Sequence, residues 1–176
     1  MLDDYKNIYL YHGSDSIVDN PDLNKCRDGK DFGKGFYLTK DKKQAQKFAK
    51  LVSKKNSTSK AYLNIYYLEE LKGNAICFEG CDLAWLYCVL GNRDKRIKKY
   101  IKEFDKFEII AGKIADDDTS RTINAYLIGA YGQVGSEEAI KQTIKMFKPN
   151  KLNDQICFKS KRSLKLLRYI KTVEVR

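Results

Sequence analysis

Residues 61–68 show the clearest strand pattern in this sequence, because apolar and aromatic side chains occupy both of the faces that the segment would present. Successive side chains of a strand point to opposite faces of its sheet. A strand that is apolar on both faces is typical of a buried, central position. The chain has 176 residues, the length of one domain, and we find no linker or repeat that would divide residues 1–176.

Further strands and helices are expected on both sides of this segment, in mixed order. Strands are predicted at residues 7–12, 36–39, 75–78, 107–114, 155–158 and 169–175. Helices are predicted at residues 83–90, 94–102 and around 123–130, and after Ser136 and Ser160, which suit N-caps. Because the order has no regular strand–helix–strand rhythm, the predicted fold class is α+β.

One more helix is expected to begin after Thr39 or Asp41, since either side chain can cap it. Helical spacing predicts an apolar stripe on this helix, with four members: Ala45, Phe48, Ala49 and Val52. The same segment is strongly basic, which bears on the question of partners.

The formal net charge is +11, and the charge comes in stretches. Residues 40–60 hold eight lysines against one acid, and residues 145–176 hold ten lysines and arginines against two acids. One interpretation is an electrostatic footprint for nucleic acid or another acidic partner. The other is a solvated, lysine-rich surface. A dinucleotide pyrophosphate also prefers a positive cleft, so the charge does not separate these hypotheses.

Several kinds of chemistry lack their sequence signals here. There is one histidine, and the five cysteines include no CxxC pair, so we expect no metal site and reduced thiols. Neither a Walker A sequence nor a GxSxG elbow occurs. The glycine-rich residues 29–35 precede a strand rather than a helix, which argues against a phosphate loop. No run of 18 apolar residues and no signal peptide is apparent, so a cytoplasmic protein without a membrane span is expected.

The lone histidine stands at the end of the first predicted strand, in the run Tyr11-His12-Gly13-Ser14. A histidine at a strand end can present a ring nitrogen to a ligand, and the glycine after it permits close backbone approach. A purely structural histidine is the alternative interpretation of this run.

Two glycines, Gly33 and Gly35, frame the next strand within the run DFGKGFYLT. They let the backbone turn tightly into the strand, where Phe36 and Tyr37 point to opposite faces. One ring would enter the core and the other could stack on a flat ligand. The alternative is that both aromatic rings belong to the core.

Polar residues cluster where a late strand begins, at Asn153, Asp154 and Gln155. A buried glutamine needs hydrogen-bond partners. Either a site at the mouth of the sheet or a backbone-capping role would explain its presence.

These runs together resemble the ADP-ribosyltransferase superfamily. Within it, they closely resemble a bacterial family of uncharacterised domains. The shared runs are YHGS, DFGKGFYLT with QAQKFA behind it, WLYCVLGNR, IAGKIADDDT and LNDQICF. They cover nearly the whole chain in this order. The resemblance implies two packed, mostly antiparallel sheets that form an NAD+ cleft, with flanking helices. A fold-level likeness supports the fold better than the activity.

In that superfamily a histidine bonds the adenosine-side ribose of NAD+, and the backbone of the following glycine holds the nicotinamide amide. The resemblance implies these roles for His12 and Gly13, with Ser14 where a hydroxyl residue is common. The tyrosine of the glycine-framed strand stacks on nicotinamide, which implies that role for Tyr37. The implied NAD+-binding set is completed by Gly33, Gly35 and Phe36.

The third motif position is a glutamate in the best-known members, where it bonds the nicotinamide ribose and stabilises an oxocarbenium-like transition state. Here the best match is Gln155, which can hydrogen-bond a hydroxyl but carries no charge. The loss of one positioned electrostatic contact can slow such chemistry roughly 10²–10³-fold. The neighbouring Asp154 points to the other face of a regular strand, so it is a weaker substitute.

Two further groups are second-tier candidates. The run Asp116-Asp117-Asp118 would either charge the N-terminus of a helix or act on the acceptor or the nicotinamide ribose. Asn92 and Arg93 would either end a helix or contact the pyrophosphate.

The function implied by the resemblance is that of an NAD+-dependent mono-ADP-ribosyltransferase, with NAD+ as co-substrate and an unidentified protein or nucleic acid as acceptor. NAD+ glycohydrolysis, in which water is the acceptor, is a close variant. A non-catalytic basic module that binds nucleic acid or an acidic partner is the alternative from another class. The resemblance also implies a role as a toxin, effector or phage-defence component, and with it a cognate antitoxin or immunity partner.

Overall fold

The structure, a computed structural model, describes residues 2–94, 102–149 and 152–176, which form two β-sheets and five α-helices. The strands are β1 (Ile8–Ser14), β2 (Phe36–Leu38), β3 (Tyr62–Leu68), β4 (Ala75–Cys77), β5 (Ile109–Lys113), β6 (Asp154–Phe158) and β7 (Leu167–Glu174). The helices are α1 (Lys42–Lys55), α2 (Leu83–Arg93), α3 (Asp117–Leu127), α4 (Glu137–Met146) and α5 (Lys161–Leu164). The predicted α+β class is confirmed.

The strands are arranged in a three-stranded sheet A with the order β1-β3-β7 and a four-stranded sheet B with the order β2-β6-β5-β4. Every pairing is antiparallel except that of β4 with β5. The strand that is apolar on both faces, β3, lies in the middle of sheet A as predicted. β2 is an edge strand of sheet B, and one isolated bridge between Tyr11 and Thr39 joins it to β1 of the other sheet.

Three clusters of buried side chains define the layers. The cluster between the sheets draws Leu10 and Tyr66 from sheet A and Phe36, Ile156 and Phe158 from sheet B. A second and larger cluster packs α2, α3 and α4 on the outer face of sheet B. The third and smallest cluster packs α1 on the outer face of sheet A.

Helix α1 lies very close to β1. An added Cβ at Gly13 would come within 2.0 Å of the carbonyl oxygen of Ala45, so only glycine fits at this crossing. Ala45 and Ala49 are buried there, but Phe48 is 50% exposed. The predicted apolar stripe is therefore only partly buried, because the close crossing admits only small side chains and leaves the phenyl ring of Phe48 beside it.

The helix N-caps match the sequence prediction more closely than the lengths of the helices do. The side chains of Asp41, Ser136 and Ser160 each accept a backbone N–H at the start of their helices, as predicted. Helix α2 continues to Arg93, three residues beyond the predicted end. The helix predicted at residues 94–102 falls almost wholly outside the described residues. None of the helices in the described ranges is both long enough and apolar enough to cross a membrane.

Candidate functional site

His12 lies on β1 at the open edge of β2. Its Nδ1 is 2.8 Å from the carbonyl oxygen of Tyr37, and its ring centroid is 4.5 Å from that of Phe36. A carbonyl oxygen can only accept, so Nδ1 carries the hydrogen in this contact. The Nε2 of the neutral ring is then left as an acceptor for another group.

Burial lowers the pKa of His12 below its ordinary value of 6.5, and the bond to the Tyr37 carbonyl opposes this shift only in part. Burial disfavours the charged form because the imidazolium loses hydration. Burial therefore favours the neutral imidazole, and the bond to the Tyr37 carbonyl fixes its tautomer.

The backbone pairing of β1 with the β2 segment stops after one bridge, which leaves a gap in the hydrogen bonding. At the bridge, Tyr11 and Thr39 exchange two backbone hydrogen bonds of 2.9 and 3.0 Å. The same register would next place Gly13 opposite Tyr37, but no further β1–β2 bridge is formed among the described residues. Because alternate residues of a strand share an edge, the amide and carbonyl of Gly13 are directed into the resulting gap.

The side chain of Tyr37 leaves β2 on the face opposite to Phe36 and packs against the outer cluster of sheet B. Its hydroxyl donates to the Gly33 carbonyl at 2.7 Å and accepts the Phe32 N–H at 3.0 Å. Burial raises the pKa of this hydroxyl far above its ordinary value. His12 and Tyr37 therefore meet through the backbone of β2, while their rings lie on opposite sides of that strand.

Gln155 shares the face of Tyr37. Tyr37 pairs with Cys157 in the ladder between β2 and β6, and Gln155 lies two residues before Cys157, hence on the same side. The thiol of Cys157 is fully buried beneath Tyr37, and this burial raises the pKa of Cys157 to about 12. Two of the three motif side chains thus lie together on the outer face of sheet B.

The buried carboxylate of Asp31 holds Gln155 in place. Its Oδ2 accepts from Gln155 Nε2 at 2.7 Å and from the backbone N–H of Ala115 at 3.0 Å. Its Oδ1 accepts from Nε and Nη2 of Arg93, at 2.9 and 2.5 Å. The Asp31 side chain is only 9% exposed, and four donors balance its charge, as a buried carboxylate requires.

Asn92 and Arg93 fasten the last turn of α2 to this carboxylate. Arg93 also donates to the hydroxyl of Ser120 and to the Ala115 carbonyl, so its guanidinium is occupied by protein partners. Asn92 donates to the Asp31 carbonyl at 3.2 Å. Gly33 has a φ of +82°, and a Cβ there would meet Asn92 Oδ1 at 2.5 Å, so this loop position requires glycine on two counts.

Two of the three acids in the run 116–118 have structural partners. Asp116 caps α3 by accepting the Thr119 N–H at 2.9 Å, and Asp118 pairs with Arg121 one turn later. Asp117 is exposed in the first turn of α3. Around this helix start, negative charge complements the helix dipole.

Asp154 points to the other face of β6 from Gln155. It forms an ion pair of 3.0 Å with Lys113 and lines a cavity of about 240 Å³ together with Tyr5 and Lys40. Ser14, at the end of β1, has its hydroxyl 3.2 Å from that of Ser16.

Four of the sequence runs that carry the resemblance converge on Asp31: the glycine-framed loop, the end of α2, the start of α3 and the start of β6. Sequence reasoning missed Asp31 as a site residue. Its partner Arg93 lies 62 positions away, and the available signal was an acid placed directly before a glycine-framed strand. In the described part of the chain, no group of three or more histidine, cysteine, aspartate or glutamate side chains is placed to hold a metal ion.

The fold and this site define a class of α+β protein with two packed sheets. A histidine lies where the edge strands β1 and β2 meet, and a polar cluster around Asp31 lies on the outer face of β2 and β6. Residues 8–169 match the family model described as "Protein of unknown function (DUF3990)", and the chain belongs to that family. No curated protein and no solved structure matches the chain.

Proposed function

We propose that this protein is an NAD+-dependent mono-ADP-ribosyltransferase whose site lies in the gap between β1 and β2. One observation carries the proposal: the backbone pairing of β1 with β2 stops at the point where His12 and Gly13 face Tyr37. The resemblance in sequence supplies the ligand, and the geometry supplies matching hydrogen-bonding groups on the β1 side of the gap.

The groups of β1 are complementary to parts of NAD+. The Nε2 of a neutral His12 is an acceptor, and a ribose hydroxyl is a donor. The amide and carbonyl of Gly13 form a donor–acceptor pair, which complements the carboxamide of nicotinamide. These contacts would fix the dinucleotide at two points along its length and so limit its motion before reaction.

Asp31 determines how Gln155 presents its amide. Because a carboxylate only accepts, Nε2 must face Asp31, and Oε1 is turned away from it. That oxygen is then available to accept from a hydroxyl of the nicotinamide ribose. Its partial negative charge stabilises positive charge at the ribose carbon, though less strongly than a carboxylate does.

The reaction breaks the bond between the nicotinamide nitrogen and the ribose carbon. Nicotinamide leaves with the bonding electron pair, and an acceptor heteroatom attacks the carbon and loses its proton. Oriented binding and electrostatic stabilisation of the oxocarbenium-like state are the contributions that this site can make.

The test is incubation with NAD+ labelled on the adenylate, together with cell lysate. We expect label on a macromolecule and release of nicotinamide, both reduced at least tenfold in His12→Ala. Tyr9→Phe is the matched control, since Tyr9 lies on the same strand and is 52% exposed. A folded protein that neither transfers label nor releases nicotinamide would contradict the proposal, and free ADP-ribose alone would indicate glycohydrolysis.

A non-catalytic binding module is the second candidate. It is favoured by one observation, namely that the buried carboxylate nearest Gln155 is fully engaged with Arg93 and Ala115. Calorimetry with NAD+ separates the two functions. An absence of NAD+ binding, combined with salt-dependent affinity for nucleic acid, would favour the module.

A further inference from the structure

The outward face of α1 carries a straight line of lysines, defined here as the lysine line: Lys43, Lys47, Lys50 and Lys54. Their spacing of four, three and four residues keeps them on one side of the helix. All four are exposed. At about 1.5 Å per residue, the line extends over roughly 16 Å.

The acid beside these four charges in the groove is Asp41, whose side chain caps α1 by accepting the backbone N–H groups of Lys43 and Gln44. The sequence of α1 contains no acid, and within the ranges that the structure describes none of the four lysines takes part in an ion pair. Other lysines do pair with acids: Lys60 with Glu174, Lys72 with Glu70, Lys113 with Asp154 and Lys141 with Glu137. The lysine line is thus a stretch of net positive charge whose four ammonium groups form no ion pair within the described residues.

An exposed aromatic ring stands beside the lysine line. Phe48 and Leu51 are 50% and 64% exposed. They line a groove of about 310 Å³ that also includes Lys43, Lys47 and Asn153. Charge and apolar surface are therefore presented side by side along one helix.

We propose that α1 binds single-stranded nucleic acid, with phosphates along the lysine line and a base against Phe48. A positive track beside an aromatic platform is how proteins bind single strands without sequence preference. The repeating charge of a phosphate backbone suits four evenly spaced lysines better than an acidic protein face does, since that face would need acids at matching positions.

The groove and the proposed site are flanked by the same two parts of the chain, helix α1 and the segment that enters β6. Asn153 forms part of the groove and lies two residues before Gln155, while the inner face of α1 packs on Gly13. If the proposed transferase function holds, the bound strand would be its acceptor. The binding itself does not rest on that function.

Fluorescence anisotropy with 5′-labelled twelve-nucleotide oligo-dT and oligo-rU, in the absence of NAD+, tests the inference. Each phosphate contact contributes about 0.7 to the salt slope for a single strand, so four contacts predict a slope near −2.8. That slope corresponds to a loss of affinity of about 50-fold between 50 and 200 mM salt.

Two triple variants of equal net charge separate local from general electrostatics. Lys47→Gln/Lys50→Gln/Lys54→Gln is expected to reduce the magnitude of the slope by about two and to weaken binding at 50 mM salt at least tenfold. The control, Lys145→Gln/Lys161→Gln/Lys165→Gln, neutralises three exposed lysines elsewhere and should leave both quantities nearly unchanged. Equal losses in the two variants would overturn the proposal.

The role of the ring is tested by Phe48→Ala, which should weaken binding about tenfold without changing the salt slope. Ile128→Ala, at a residue 83% exposed, is its control. No binding of either oligonucleotide at 50 mM salt overturns the proposal, as does binding of a polyglutamate peptide in their place. A protein that binds oligonucleotides but transfers no label retains this inference and loses the proposed transferase function.

Discussion

The two faces of sheet B are held by different kinds of interaction. The inner face packs Phe36, Ile156 and Phe158 against sheet A in an apolar layer. The outer face, near the candidate site, depends on the hydrogen bonds that converge on Asp31 and reach Gln155. Apolar burial is non-directional, whereas a buried polar network loses stability as soon as one partner is lost. The faces should therefore respond differently to substitutions of similar size.

Asp31→Asn should have the largest effect, although it removes no heavy atom. It leaves the guanidinium of Arg93 without its counter-charge, which should reduce the free energy of unfolding by about 3 kcal/mol. Urea denaturation measures this loss. Asp154→Asn is the control, because its ion pair with Lys113 is more exposed and should be worth less than about 1 kcal/mol. Equal losses of stability in Asp31→Asn and Asp154→Asn would contradict the proposed difference between the two faces.

Gln155→Glu should be the next most damaging change. It would place a second carboxylate beside Asp31, at the site of a 2.7 Å hydrogen bond, and like charge raises the pKa of one of the two. Stability is then retained at low pH and lost as the pH rises through the raised pKa. A shift of one to two units corresponds to about 1–3 kcal/mol at pH 7. A variant as stable at pH 7 as at pH 4.5 would count against the described contact.

Ile156→Val tests the inner face. It removes one methylene from a fully buried side chain, and such deletions reduce the free energy of unfolding by about 0.5–1.5 kcal/mol. Urea denaturation should show a smaller loss than for Asp31→Asn, despite the missing atom. A larger loss would mean that the inner face is the more sensitive of the two.

The smallest expected effect on stability concerns His12, at the edge where β1 adjoins β2. His12 is the only histidine, and its pKa is lowered in the folded state, so the unfolded chain binds the proton more tightly. The free energy of unfolding should fall as the pH is lowered from 7 through about 6.5. His12→Gln should remove this dependence between pH 5.5 and 7. A wild-type curve that is flat in this range, or a variant curve that keeps the slope, would refute it.

Much of the fold could be predicted because its signals are local. The central position of β3 follows from its two apolar faces, and the helix starts at Asp41, Ser136 and Ser160 follow from their capping side chains. The exposure of Phe48 could not be predicted, since it depends on the close approach of α1 to Gly13. Helical periodicity reports which side of a helix is apolar, but not how close the neighbouring strand lies.

Several residues of the candidate site could be selected from the sequence, but Asp31 and the contacts between the residues could not. The sequence drew attention to His12, Tyr37 and Gln155, and β2 and β6 bring the last two onto one face. The side of β2 on which each ring lies, and the buried acid that joins Gln155 to Arg93, depend on contacts between distant parts of the chain. A single sequence does not record such pairings.

The concealed thiol beneath Tyr37 has a practical consequence. Cys157 has no exposed surface and its pKa is raised. A thiol reagent therefore cannot react with it while β2 remains paired with β6. Its rate of alkylation would therefore measure how often β2 detaches transiently from β6. A dinucleotide that occupied the neighbouring gap and held β2 against β6 would slow the alkylation of Cys157. Binding could then be detected without an enzymatic assay.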